Sequence, residues 1–158
     1  MSFIGPLVNF LKSHGSPILV NVYPYFAYTS NQQSIDINYA LVTSPGTLVI
    51  DSNNVLKWQN LFNVLVNSGY AAVGKAGAPN AEILVTKSGW PSDCEDTATV
   101  DNEGTYYRNV IMEEGYPLKE KESVTYLFPT FDEDQILGQP VGQHSGQIKV
   151  SANQPHWD

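Results

Sequence analysis

Three apolar runs rich in β-branched and aromatic residues most constrain how this chain can fold. They cover residues 17–28, 82–88 and 123–131. Runs of this kind are typical of strands that are covered on both faces, as in a parallel sheet. Pro24 should mark the end of the first strand, because proline cannot donate a hydrogen bond to a ladder.

Segments in which apolar residues recur with helical spacing separate these runs. Residues 3–13, 58–75 and 101–112 predict helices. A further short strand is predicted over 36–43, and 44–54 has the composition of loop and turn. Strands that alternate with helices predict an α/β fold with a largely parallel sheet, and a chain of 158 residues is the size of one domain.

Charge and cysteine content exclude several classes of function. The formal net charge of −8 argues against nucleic acid or an anionic membrane as a partner, since both require a basic surface. Cys94 is the only cysteine, so no intramolecular disulfide can form. One cysteine and the scattered His14, His144 and His156 do not make a metal site, and we expect no cofactor.

Polar and aromatic side chains follow three of the predicted strands. In parallel α/β folds, groups just past the carboxyl ends of strands line binding and catalytic sites. Aromatic side chains at strand ends can equally well close off the core, and the pattern alone does not decide between the two. In chain order these residues are Asn21, Tyr23, Tyr25, Lys87, Trp90, Asp132, Glu133 and Asp134.

Six motifs in register identify a family. "NVYPYFAY", "NYAL…SPGT", "NLF", "KAGAPNAEILV", "SGWPS" and "YLFPTFDEDQ" occur in the order and at the spacing found in plant endo-β-1,3-glucanases. The chain therefore resembles glycoside hydrolase family 17. The resemblance covers about residues 3–146 of a single domain spanning 1–158, and the tail 147–158 diverges.

The resemblance implies half of a TIM-type barrel. Family 17 enzymes fold as (β/α)8 barrels, which usually need about 250 residues or more. This chain is similar only to the C-terminal half, which begins at the helix before the fifth strand. Hydrolysis with retention requires two carboxyl groups about 5 Å apart. By resemblance the acid/base of the family lies on the fourth strand, so it has no counterpart among these residues.

Lys87 stands where the resemblance places the catalytic nucleophile. The family has a glutamate directly before the serine of "SGWPS", whereas this chain has Lys87 before Ser88. An ammonium group repels a developing oxocarbenium ion, while a carboxylate stabilises it and then bonds to it. We therefore expect no hydrolysis through this position.

Of the other residues that the resemblance assigns to the family site, some are present in this chain and some are replaced. Glu133 matches an auxiliary glutamate, but the lysine that ends the same family motif is Ile136 here, and a further acidic position falls on Gly142. Asp132 and Asp134 could form a substitute pair only from one side of a strand, some 7 Å apart, which favours a solvated acidic edge. The residues that match the lining of the glucan cleft are Asn21, Tyr23, Tyr25 and Trp90.

The sequence therefore predicts a family 17 fragment that is catalytically inactive and that binds β-1,3-glucan weakly. One alternative is an active endohydrolase completed by a missing N-terminal half, and another is an interaction or decoy protein. The open edges of a half-barrel predict a homodimer or association with a complementary half. The first residues lack the basic and apolar regions of a signal peptide, so we expect none here, although the family is typically secreted or vacuolar.

Overall fold

A computed structural model describes residues 3–46, 49–51, 56–93, 95–112 and 125–127. Over these residues helices and strands mostly alternate along the chain. The order is α1 (Ile4–Ser13), β1 (Ile18–Asn21), α2 (Pro24–Thr29), α3 (Ile37–Ala40), β2 (Val49–Asp51), β3 (Leu56–Trp58), α4 (Leu61–Lys75), β4 (Ile83–Ser88), α5 (Val100–Met112) and β5 (Thr125–Leu127).

A parallel sheet organises the described part of the chain. Its strand order is β1-β4-β5, and both neighbouring pairs run parallel. Leu19 lies opposite Leu84 and Val20 opposite Val85, and the register then shifts so that Asn21 lies opposite Lys87. The α/β fold with parallel strands was thus predicted correctly from the apolar runs.

The first strand is shorter than predicted. It ends at Asn21, three residues before the predicted end at Pro24, and Pro24 begins helix α2 instead. Proline suits the first turn of a helix, since its fixed φ is already helical and its missing N–H would lack a partner there. The aromatic residues that suggested a strand instead bury one side of the helix, through Tyr25 and Tyr28.

Two predictions between the first strand and α4 are wrong. The segment 36–43 contains helix α3, because the Asp36 side chain accepts a hydrogen bond at 2.7 Å from the Asn38 N–H and caps a helical turn. The segment 44–54 contains β2, which pairs antiparallel with β3. The apolar "TLVI" in that segment was a strand signal that the flanking turn residues obscured.

The three longer helices agree with their predicted spans within a few residues. Helix α1 ends at Ser13, and Gly15, which follows the C-cap residue His14, has a φ of 63°, the left-handed conformation common after helices. Helix α4 begins after Asn60, whose Oδ1 accepts a hydrogen bond at 2.8 Å from the Asn63 N–H. Because Asn60 caps the helix, Trp58 belongs to β3 and not to α4 as predicted.

The helices cover one face of the parallel sheet. Ile83 and Val85 of β4 are buried against them, and Val8 of α1 joins Ile83 in a small apolar cluster. A larger cluster lies towards the carboxyl ends of the strands and includes Val85 and Trp90. No helix in the described part of the chain is long and apolar enough to cross a membrane.

Candidate functional site

The carboxyl ends of β1 and β4 bring Asn21 and Lys87 side by side. The Val22 N–H donates a 2.9 Å hydrogen bond to the Lys87 carbonyl oxygen, which holds the two strand ends together. The Thr86 hydroxyl donates to Asn21 Oδ1 over 3.1 Å and fixes the amide. Asn21 and Lys87 are both exposed, so both side chains are accessible at this end of the sheet.

Tyr23 lies just beyond them and is half-buried. Its ring packs edge-on against Phe26, with the ring centroids 5.7 Å apart. Burial raises the pKa of Tyr23 above the ordinary value for a phenol, at which the hydroxyl is already protonated at neutral pH and can donate a hydrogen bond. The structure thus places Tyr23 beside Asn21, with part of the residue exposed to solvent.

Trp90 lies inside the protein rather than on its surface. Its side chain is 0% exposed, and its ring contacts Tyr25, Tyr28 and Tyr106 at centroid distances of 5.1, 6.0 and 5.7 Å. The indole N–H donates a 2.8 Å hydrogen bond to the Thr97 carbonyl oxygen. The tryptophan that the resemblance assigns to the glucan cleft therefore seals the core at the end of β4.

Tyr25 joins two of the loops at this end of the sheet. Its ring is buried, and its hydroxyl donates a 2.5 Å hydrogen bond to Oε2 of Glu95, which lies in the loop between β4 and α5. Glu95 itself is exposed. The contact ties the chain after β1 to the chain after β4, a role for Glu95 that no sequence motif predicted.

Helix α5 contributes a buried polar layer that was not among the predicted site residues. Glu103 is 1% exposed, and Tyr106 and Tyr107 lie beside it on the same face of the helix. The Tyr106 hydroxyl and the Ser88 hydroxyl are 2.5 Å apart, which links the helix to the last residue of β4. Burial raises the pKa of Tyr107 well above its usual value, and the Glu103 charge raises it further.

A sequence signal for this layer did exist. Positions 103, 106, 107 and 110 follow the i, i+3, i+4, i+7 spacing of a buried helix face. A glutamate among three large apolar or aromatic residues on that face marks a buried carboxyl group.

The acidic residues near the end of the chain lie outside the described residues. They are Asp132, Glu133 and Asp134, and the role of Glu133 as an auxiliary acid stays a prediction, as does the solvated acidic edge. Within the ranges that the structure does describe, no cluster of three His, Cys, Asp or Glu side chains could hold a metal ion.

The comparisons with known proteins identify the family. The model of the glycosyl hydrolases family 17 matches residues 1–157, so the chain belongs to that family. A glucan endo-1,3-beta-glucosidase of Vitis vinifera is 47% identical over 147 residues, which is 92% of this chain and 42% of that protein. The acidic isoform GL161 of the same enzyme in Nicotiana tabacum is 44% identical over 92% of this chain and 44% of its own length.

Solved structures show the corresponding fold. CJP38, a beta-1,3-glucanase and allergen of Cryptomeria japonica pollen, is 37% identical, with a TM-score of 0.83 over 90% of this chain and 45% of that chain. One of two plant beta-glucan endohydrolases with distinct substrate specificities gives a TM-score of 0.86 at 36% identity. These neighbours are TIM barrels, which confirms the predicted partial barrel. The chain spans less than half the length of the first curated relatives that it matches.

Proposed function

We propose that this chain is a catalytically inactive member of family 17 that binds β-1,3-glucan weakly at the carboxyl ends of β1 and β4. The observation that carries the proposal is that residue 87 is a lysine. Its side chain is exposed at the end of the central described strand, directly before "SGWPS". The assignment of this position to the attacking carboxylate rests on the motif "SGWPS" that follows it, in a chain that belongs to family 17.

The chemistry of retaining hydrolysis explains why lysine cannot serve there. The nucleophile must approach an anomeric carbon that gains positive charge in the transition state, and it must later leave. A protonated amine adds a like charge at that point and has no lone pair with which to attack. Loss of a catalytic carboxylate removes several kcal/mol of transition-state stabilisation, and each 1.36 kcal/mol is about a tenfold loss of rate.

Sugar binding requires only hydrogen-bonding groups and an aromatic face, and no catalytic carboxylates. Asn21 and Lys87 offer exposed donors to sugar hydroxyls, and Tyr23 offers part of an aromatic face. The other two positions assigned to the cleft by resemblance are Tyr25 and Trp90. Both rings are buried, so they can support this surface only by packing beneath it. A surface of three accessible side chains favours weak binding.

Two assays on the purified chain test the proposal. Incubation with laminarin should release no reducing sugar, and Lys87→Glu alone should not restore release, because the acid/base partner is not supplied. Laminari-oligosaccharides should bind weakly, and Asn21→Ala should weaken that binding, whereas Val100→Ala, an exposed change on α5, should not. Sugar release by the wild-type chain would refute inactivity, and equal binding by both variants would refute the assigned surface.

A second function has one observation in its favour. The relatives are more than twice as long as the matched segment, so a complementary half could complete the barrel and its cleft. In that case the chain would act as part of an active β-1,3-glucan endohydrolase of carbohydrate metabolism or plant defence. The same laminarin assay with the complementary half present separates this function from the inactive one.

A further inference from the structure

A shift in the β1–β4 register turns Lys87 to the same face of the sheet as Asn21. The ladder pairs Val20 with Val85 and then Asn21 with Lys87, so the register skips Thr86. Because side chains alternate along a strand, regular pairing would place Thr86 opposite Asn21 and turn Lys87 to the face that the helices cover. The extra residue reverses this orientation, and β-bulges next to functional sites re-aim side chains in the same way.

The Asn21 amide is held in one orientation by the residue that the register skips. The Thr86 hydroxyl donates a 3.1 Å hydrogen bond to Asn21 Oδ1. The amide oxygen is therefore engaged within the protein, and the Nδ2 group with its two N–H donors lies on the opposite side of the amide. Because Asn21 is exposed, a ligand at the end of β1 meets a hydrogen-bond donor.

The polar side chains of this surface are mainly hydrogen-bond donors. An ammonium group such as that of Lys87 has three donors and no acceptor. Tyr23 lies beside Asn21 and keeps its hydroxyl proton at neutral pH. A sugar hydroxyl both donates and accepts, so such a surface satisfies only half of its hydrogen bonds. A carboxylate only accepts, and it matches the surface fully.

Charge adds to this selectivity at short range. Neighbouring strands lie about 4.8 Å apart, so a ligand that contacts Asn21 is within reach of the long lysine side chain on β4. A bond between an ammonium group and a carboxylate is stronger than one between neutral groups. The formal net charge of −8 opposes an anion only weakly from a distance, since physiological salt screens charges beyond about 8 Å.

Acidic residues in the loop after β4 restrict where an anion can lie. Glu95 of this loop is exposed, and its Oε2 accepts a hydrogen bond from the Tyr25 hydroxyl. Repulsion from this loop favours the other side of Lys87, towards β1. The position for a bound carboxylate is therefore between Lys87 and Asn21.

We propose that the surface formed by Asn21, Tyr23 and Lys87 prefers acidic saccharides to neutral glucan, with the carboxylate of a uronic acid between Lys87 and Asn21. The inference rests on the proposed function for the location of the sugar-binding surface, and it adds the class of sugar. It is carried by the skipped residue in the register and by the held amide. It does not require that Lys87 occupies the nucleophile position.

The test compares two ligands of equal length on the purified chain. One is a laminari-oligosaccharide, and the other is the same oligosaccharide after oxidation of its primary hydroxyls to carboxylates. Calorimetry should show about three- to tenfold tighter binding of the oxidised ligand, as expected for one charge-assisted hydrogen bond at an exposed site. Higher ionic strength should reduce this preference. Equal affinity for the two ligands, or tighter binding of the neutral one, would overturn the inference.

Matched variants assign the preference to individual residues. Lys87→Met keeps the length of the side chain without its charge and should abolish the preference. Lys75→Met removes the same charge from the exposed end of α4, at the opposite end of the sheet, and should leave the preference unchanged. Thr86→Val removes the hydroxyl that holds the Asn21 amide and should reduce the preference while Lys87 stays in place. Equal effects of the two lysine variants would reveal a general charge effect and refute the assigned position.

The two proposals fail separately in this experiment. Equal binding of both ligands leaves weak glucan binding in place and refutes only the preference for acidic saccharides. Binding of the oxidised ligand alone supports the preference and refutes binding of neutral β-1,3-glucan. Binding of neither ligand refutes both proposals.

Discussion

Replacing Trp90 by phenylalanine should destabilise the fold far more than it weakens glucan binding. The change removes the indole N–H that donates to the Thr97 carbonyl oxygen and empties the space of the five-membered ring. The carbonyl oxygen keeps a second donor, Nδ2 of Asn102 at 2.9 Å, so it is not left unsatisfied. The loss should therefore come from one hydrogen bond and from packing.

The two contributions can be added roughly. A hydrogen bond of this kind contributes about 1 kcal/mol. Removing part of a fully buried aromatic side chain costs about 1–2 kcal/mol more, less than the roughly 3–5 kcal/mol of a change to alanine. The free energy of unfolding should thus fall by about 2–3 kcal/mol, which lowers the melting temperature of a domain of this size by about 4–12 °C.

Urea unfolding followed by far-ultraviolet circular dichroism measures the first effect, and laminari-oligosaccharide titration by calorimetry measures the second. The buried position of Trp90 predicts a clear loss of stability with less than about a twofold change in affinity below the unfolding temperature. The reverse result, unchanged stability with abolished binding, would show that the indole ring contacts glucan and not the core.

Three further changes probe the fold around the site. Tyr39→Phe should stabilise the chain by about 1 kcal/mol in urea, because the buried Tyr39 hydroxyl has no hydrogen-bond partner among the described residues. Burial raises the pKa of Tyr39 to about 12, so the wild-type chain should lose stability as pH rises from about 10 to 12, and Tyr39→Phe should reduce that loss in melts at fixed pH. Asn60→Ala should cost about 1 kcal/mol by removing the cap of α4, and an unchanged urea midpoint would contradict the capping geometry. Gly77→Ala should also lower the melting temperature, because φ is 101° there, whereas Gly5→Ala on α1 should not.

The parallel sheet and the longer helices could be predicted because their signals are local and repeated. The apolar run around β4 and the helical spacing over α4 each involve several residues that agree with one another. The short elements could not be predicted in this way. Helix α3 depends on a single cap at Asp36, and the apolar, aromatic segment after Pro24 is compatible with either a strand or a helix until tertiary packing decides.

The apolar runs predicted that Asn21 and Lys87 lie near strand ends, because the carboxyl ends of parallel strands meet at the same edge of a sheet. The assignment of Lys87 to the nucleophile position comes from the family motifs and stays a prediction. The exposure of each side chain could not be predicted from the sequence in the same way. Whether Trp90 faces sugar or core depends on Tyr25, Tyr28 and Tyr106, which come from distant parts of the chain and meet only in the fold.

The most direct test of the central claim is reducing-sugar release from laminarin by a purified 1:1 complex. The complex joins this chain with its complementary half, the part of the Vitis vinifera relative that this chain does not match. It is prepared once with the wild-type chain and once with Lys87→Glu. By resemblance, the acid/base position lies in the complementary half, and the two complexes differ only in the residue at position 87. The account predicts no release with Lys87 and measurable release with glutamate in its place. Release by the wild-type complex, or complexes of equal mass that are both inactive, would contradict the assignment of Lys87 to the nucleophile position.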